Sequence, residues 1–174
     1  MTEQKPKQKL KPEAKKWLKL LGKIGIFALA MVIIFQFVFG FKYLRSNSMF
    51  PALRDGDFII SYKLETAVKN DVVLYKHDDE TKVGRIVATA GDTVAFSTSG
   101  ELLVNGCVST EEIFYATTAA TNSDIEYPYT VPENSVFILN DYRSSDFNDS
   151  RTYGAISLGD LQGKAFFIFR RRGF

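Results

Sequence analysis

The sequence predicts a mostly β protein, with an N-terminal transmembrane helix followed by an antiparallel β-barrel or coiled-sheet domain. Three observations predict it. One apolar run, "IGIFALAMVIIFQFVFGF", covers residues 24–41 and is interrupted only by Gln36. Beyond it come eight short segments rich in β-branched and aromatic residues, separated by turn chemistry. No amphipathic helix of useful length follows the run, and no internal repeat is visible.

Residues 1–23 form a basic segment read as cytoplasmic. Eight lysines stand there against Glu3 and Glu13, and residues 1–16, rich in Lys, Gln and Pro, read as disordered. The whole chain of 174 residues carries a net charge of only +2, so the remainder is acidic. An evenly basic chain would point to nucleic acid. A basic start on an acidic body points instead to a membrane address, with no nucleic-acid partner.

The run at 24–41 is apolar all round and matches the roughly 17–25 residues that a spanning helix needs. A cleavable leader has a shorter apolar region, about 7–15 residues, and ends in small side chains. Here the run continues into Phe-Lys-Tyr-Leu-Arg, as an anchor does. Lysine-rich flanks stay on the cytoplasmic side. The expectation is a single-pass protein of the cell membrane, with residues 42–174 outside the cytoplasm.

In the body, strands are expected at 57–64, 71–77, 82–89, 92–97, 101–104, 107–109, 135–141 and 164–171. "VNGCV" at 104–108 carries the Asn-Gly signal of a tight hairpin. Residues 109–130 have weak periodicity and read as a loop or small cap. Cys107 has no cysteine partner and reads as a small buried hydrophobe on a strand. His77, in "YKHDDETK", reads as a solvated residue at a hairpin tip. No metal or cofactor is expected.

The chemistry-bearing stretch is "SNSMFPALRDGD", 46–57. Pro51 fixes its own φ and biases Phe50 toward extended geometry, which stiffens a bend presenting the Ser48 hydroxyl. Ser46 places a second hydroxyl near the same point, suited to an oxyanion donor. An isolated Ser-Met-x-Pro would be an ordinary loop. This one is followed by "GRIVATAGDTV" at 84–94 and "NDYRSSDFNDSRTYG" at 140–154.

Taken in order, these stretches resemble the boxes of type I signal peptidases, serine endopeptidases that use a Ser–Lys dyad. The first box is matched by Ser48, Met49, Pro51, Leu53, Gly56 and Asp57, and the second by Arg85, Gly91 and Asp92. The third is matched by Asp141, Arg143, Asp149, Ser150, Arg151 and Gly154, and "LQGKAFFIF" resembles the closing strand. The resemblance implies Ser48 as nucleophile, attacking after a small-x-small motif in a signal peptide. It implies a neutral lysine as base. It also implies that Asp141 with Arg85, and Asp149 with Arg151, brace the site.

The departures fall on the base. The family's lysine precedes the arginine, and that position is Gly84. The serine that orients the lysine falls on Phe147, with Ser145 recovering the role only after a shift. Ala52 and Tyr142 replace the usual Thr and Asn. A lost general base costs ~10²–10⁴ in rate, or about 3–5 kcal/mol of barrier. Lys82 shares the strand face of residue 84 and is the alternative base. The resemblance is closest to the lysine-less, signal-peptidase-like proteins of Gram-positive cocci. It implies a non-cleaving membrane factor in pilus assembly, with pilins or other secreted precursors and sortase as partners. The alternative is an active signal peptidase using Lys82.

Overall fold

The structure, a computed structural model, describes residues 12–110, 113, 115–121, 123–144 and 148–170. The chain divides after Phe37 into two units. In the first, helix α1 (Pro12–Val38) starts inside the stretch expected to be disordered. Proline suits the opening position of a helix, where its missing N–H is not needed. Glu13 in the first turn pairs with Lys16 at 3.1 Å. Within α1, Lys15–Val38 is long and apolar enough to cross a membrane.

The helix stops three residues before the end of the apolar run. Phe39–Tyr43 is strand β1 instead, and it pairs antiparallel with β2 (Phe58–Tyr62), Phe39 opposite Tyr62 and Tyr43 opposite Phe58. Apolarity alone does not separate helix from strand. Here Gly40 disfavours the helix, and cross-strand rings favour the sheet. Phe39 meets Tyr62 with centroids 5.8 Å apart, and Phe41 meets Phe58 at 6.1 Å.

The body continues through β3 (Val72–His77), β4 (Glu80–Thr89), β5 (Thr93–Phe96), β6 (Leu102–Val104), β7 (Cys107–Val108), β8 (Tyr129–Thr130) and β9 (Ser135–Leu139). The one-turn helix α2 (Ser150–Tyr153), β10 (Ile156–Ser157), a 3-10 turn (Leu158–Asp160) and β11 (Leu161–Phe169) complete it. Every strand pair is antiparallel. One sheet runs β1-β2-β11-β3-β4-β9-β10, the other β7-β6-β5-β8. The mostly β class is therefore as the sequence predicts. The Asn105–Gly106 hairpin forms as expected, both residues at positive φ, as a type I′ turn requires. Cys107, however, is exposed rather than buried, because β7 is the edge of the smaller sheet.

Strand β4 sorts the core. Its odd residue Val83 joins Leu44, Met49, Leu53, Ile59 and Leu74 on one face. Its even residue Ile86 joins Val73, Tyr75, Val136, Ile138 and Ile156 on the other. A third cluster, including Val87, Val94, Val104 and Phe137, ties the two sheets together. The bend carrying Ser48 is thus nailed to one face of β4, while position 84 looks into the other.

Candidate active site

Ser48 sits on a bend that its own sequence locks. Phe50 N–H donates to Asn47 O at 3.0 Å, and Leu53 N–H to Met49 O at 2.8 Å. Asn47 Oδ1 accepts from Asp55 N–H, and Asp57 Oδ2 from Arg54 N–H, each at 2.9 Å. Met49 is fully buried and Leu53 nearly so, so the bend cannot rock without opening the core. From the far side, Tyr142 N–H donates to Ser48 O at 2.9 Å.

Two ion pairs hold that far side, one fully buried and one part-buried. Arg85 forks onto Asp141, Nε to Oδ1 at 2.8 Å and Nη2 to Oδ2 at 2.5 Å. Arg151 forks onto Asp149, Nε to Oδ1 at 3.0 Å and Nη2 to Oδ2 at 2.8 Å. Asp149 also accepts from the backbone N–H of Asn140 and Arg151. Asp141, Asp149 and Arg151 have no solvent exposure, so each charge depends on its partner.

A cleft of about 490 Å³ opens beside the bend. Its walls are Phe41–Ser46 on one side and Glu80–Val83 on the other, with Ser48, Asn140 and Asn148. Ser46 Oγ accepts from Ser48 N–H at 3.0 Å, leaving its own hydroxyl proton free to donate. Two potential oxyanion donors are thus adjacent, one currently turned onto the other. Among the described residues, no side-chain base hydrogen-bonds the Ser48 hydroxyl.

The described lining of this cleft does not include Gly84. A Cβ built on Gly84 would overlap Ile138 Cγ2 and lie 3.3 Å from both Leu139 O and the Tyr75 ring. The space a side chain would need at position 84 is occupied by the buried Ile138 and Tyr75. Glycine here marks a close approach between strands. The register explains it: Ile138 of β9 pairs with Ile86, two residues along β4, so its side chain reaches Gly84 diagonally. Phe147 and Ser145, read from the sequence as the orienting position and its substitute, lie outside the described residues.

Lys82 does line the cleft with Ser46 and Ser48. Its Nζ donates to Asn148 Oδ1 at 2.8 Å and lies 4.9 Å from the centroid of Tyr153. Tyr153 is also stacked on His77, centroids 3.8 Å apart, and bonded hydroxyl to hydroxyl with Tyr75 at 2.7 Å. His77 is therefore packed, not a solvated tip. Burial pushes the Tyr75 phenol up to about 12, against the opposing effect of its bond to Tyr153. Burial also raises Tyr153, with Tyr75 adding to it. Both phenols stay protonated at neutral pH and offer no base.

Sequence reasoning missed Ile138, Tyr75, Asn148 and Tyr153. Only the register of β4 against β3 and β9 brings the first two to Gly84. Asn148 and Tyr153 flank the Asp149–Arg151 stretch, and that adjacency was the available signal.

A hydroxyl on a rigid bend, a cleft between two strands and two Arg–Asp forks meet at this site. The sequence model of the family described as signal peptidase, peptidase S26, matches residues 15–170. The chain belongs to the signal peptidase S26 family. It is 32% identical to a probable signal peptidase I-2 of Synechocystis sp., over 94% of this chain and 78% of that protein. It is 24% identical to a protein of Staphylococcus aureus named inactive signal peptidase IA, over 86% of this chain and 89% of that protein. A crystal structure of a signal peptidase I from Enterococcus faecalis aligns with a TM-score of 0.46 at 21% identity, covering 59% of this chain and 98% of that one.

Proposed function

We propose that this is a membrane-anchored signal-peptidase-like factor that holds an extended segment of a secreted precursor without cutting it. The observation that carries the reading is the filled space at Gly84, together with a Ser48 hydroxyl that no side-chain base hydrogen-bonds among the described residues. Substituting the base position alone would leave a hole. Here Ile138 and Tyr75 close it, so the site is rebuilt around the loss. The relative named inactive signal peptidase IA supports the same direction. The cargo we propose is a pilus subunit, with sortase acting nearby, on the likeness to lysine-less family members of Gram-positive cocci. The apolar helix supports an anchor, and its lysine-rich start supports a cytoplasmic N-terminus with the body outside.

A second reading is favoured by one fact: Lys82 shares the cleft with Ser46 and Ser48. In that reading the protein is an active signal peptidase whose base has moved two residues. Against it, the Lys82 amine is engaged by Asn148, and a dyad out of place by about 1 Å loses about 10² in rate. The deciding experiment uses full-length protein in detergent with a signal-peptide substrate ending in small-x-small. The expected outcome is no cleavage above a Ser48→Ala control. Robust cleavage, abolished by both Ser48→Ala and Lys82→Ala, establishes the second reading instead.

A further inference from the structure

The chain holds a single Asn-Gly pair, Asn105–Gly106, at the tip of the hairpin between β6 and β7. It lies in the smaller sheet, whereas the Ser48 cleft is walled by strands of the larger one. Both residues are exposed and have positive φ, 55° and 78°. A Cβ added at Gly106 would meet nothing within 4 Å.

Hydrogen bonds tie Asn105 to the start of β5. Its N–H donates to Thr93 O at 2.8 Å, and its Oδ1 accepts from Thr93 N–H at 2.9 Å. Its Nδ2 donates to Asp92 Oδ1 at 2.7 Å. The side-chain amide thus carries the ladder one step past the Val94–Val104 pair. The other oxygen of Asp92, Oδ2, accepts from Thr89 N–H at 2.9 Å and from Thr89 Oγ1 at 3.1 Å. Burial works to raise the Asp92 carboxyl. The Thr89 N–H, the Asn105 amide and the Thr89 hydroxyl outweigh it and hold the group below the ordinary carboxylate range.

Asparagine is a thermally labile residue, and a following glycine has no Cβ to obstruct attack by its own nitrogen. In that reaction the Gly106 backbone nitrogen attacks Asn105 Cγ and gives up its proton. The Cγ–Nδ2 bond breaks and ammonia leaves. Water then opens the cyclic imide at either carbonyl, leaving aspartate or isoaspartate with one added negative charge.

We propose that Asn105 is a deamidation site gated by the opening of its own hairpin, and that its product unlatches the smaller sheet. While β5 holds both Oδ1 and Nδ2, Cγ cannot turn onto the Gly106 nitrogen, so the reaction waits for the hairpin to lift. Once reacted, residue 105 has no donor for Asp92 Oδ1 and sets a second carboxylate against it. Like charges at that spacing repel, so the hairpin no longer closes as before. Residues 109–130 follow directly on β7, so the latch governs how firmly that segment begins. The device is independent of what the Ser48 cleft holds.

The test follows residue 105 in full-length protein in uncharged detergent at mildly alkaline pH, folded or in urea. Peptide mass spectrometry with isoaspartate detection reads the conversion. Conversion is expected in both, ~10-fold or more slower in the folded chain. Equal rates would show that the amide bonds do not gate the reaction, and no conversion in urea would show that there is no site. Either result overturns the proposal. Hydrogen–deuterium exchange over residues 92–108 reads the latch. Asn105→Asp should speed exchange about 10-fold at about pH 7. The effect should shrink at about pH 4–5, where the crowded carboxylates share a proton. The deciding variant is the swap Asp92→Asn/Asn105→Asp. There the amide at 92 keeps its oxygen for Thr89 and turns its nitrogen to the carboxylate at 105. Exchange should return to within about twofold of the parent. If the swap exchanges as fast as Asn105→Asp alone, like-charge repulsion does not open the hairpin and the latch fails.

Discussion

The two flanks of the Ser48 cleft have been treated differently. On one flank, Arg85–Asp141 and Arg151–Asp149 are complete bidentate pairs, and Asp149 also caps backbone donors. On the other, Gly84, where the resemblance expects a lysine, has its side-chain space filled by Ile138 and Tyr75. The contrast teaches which parts of a catalytic site also carry the fold. A buried carboxylate holding a buried guanidinium cannot be dropped without stranding a charge. A base that touches only the nucleophile can be dropped once apolar neighbours close the gap.

The largest effect should come from breaking the retained flank. Asp149→Ala takes the carboxylate away from the buried Arg151 guanidinium and removes acceptors for two backbone N–H groups. It should cost about 3–5 kcal/mol. Denaturant unfolding of the full chain in detergent, followed by tryptophan-independent far-ultraviolet dichroism, measures it. A loss under 1 kcal/mol would show that this flank is not what holds the cleft together.

On the altered flank, the amine cannot simply be put back. Gly84→Lys forces a Cβ against Ile138, and overpacking of this kind costs about 1–3 kcal/mol. Ile138→Ala alone should cost about 2–5 kcal/mol. Together they should cost less than their sum, by about 1 kcal/mol, because each relieves what the other creates. Strict additivity in that cycle would mean that Ile138 does not occupy the place of the missing side chain.

The phenol pair behind the same flank yields a pH effect. Tyr75 is raised to about 12 by burial, above the ordinary phenol near 10. The folded state therefore holds this proton longer than the unfolded chain. The stability it contributes is full below pH 10 and is lost as pH rises from about 10 to 12. Tyr75→Phe should lessen the loss in that window, with the buried Tyr153 phenol supplying what remains. At neutral pH it should cost only about 0.5–1.5 kcal/mol, since Tyr153 keeps a bond to Asn148 O at 3.3 Å.

Much of this comparison was legible in the sequence, and the boundary is physical. β-Branched and aromatic residues between turn residues marked eight strand segments, and the Asn-Gly pair marked its hairpin. β8 and β10 were not visible: each is two residues long and, unlike β7, has no Asn-Gly turn beside it to mark it. β1 hid inside the apolar run, where helix and strand share a composition. At the site, Gly84 could be read as a lysine's place from the neighbouring Arg85. That Ile138 fills the gap could not, since it depends on the register of a strand some fifty residues on.

The smallest expected effect falls on the residue that began as the most conspicuous. Ser48 is half-buried, its backbone N–H and C=O are engaged by Ser46 and Tyr142, and among the described residues no side-chain base hydrogen-bonds its hydroxyl. Ser48→Ala keeps both backbone bonds and removes one hydroxyl from the cleft wall. Its effect on stability should lie within about 0.5 kcal/mol, as for substitutions that touch no special feature. If the cleft is a holder rather than a cutter, the variant should also bind extended small-residue peptides as the parent does and support precursor assembly in cells. An enzyme would behave otherwise: loss of the nucleophile would spare peptide binding and abolish the cellular role. Complementation with Ser48→Ala, beside Asp149→Ala as the damaged control, separates the two. Failure of Ser48→Ala at normal protein level would place chemistry at Ser48.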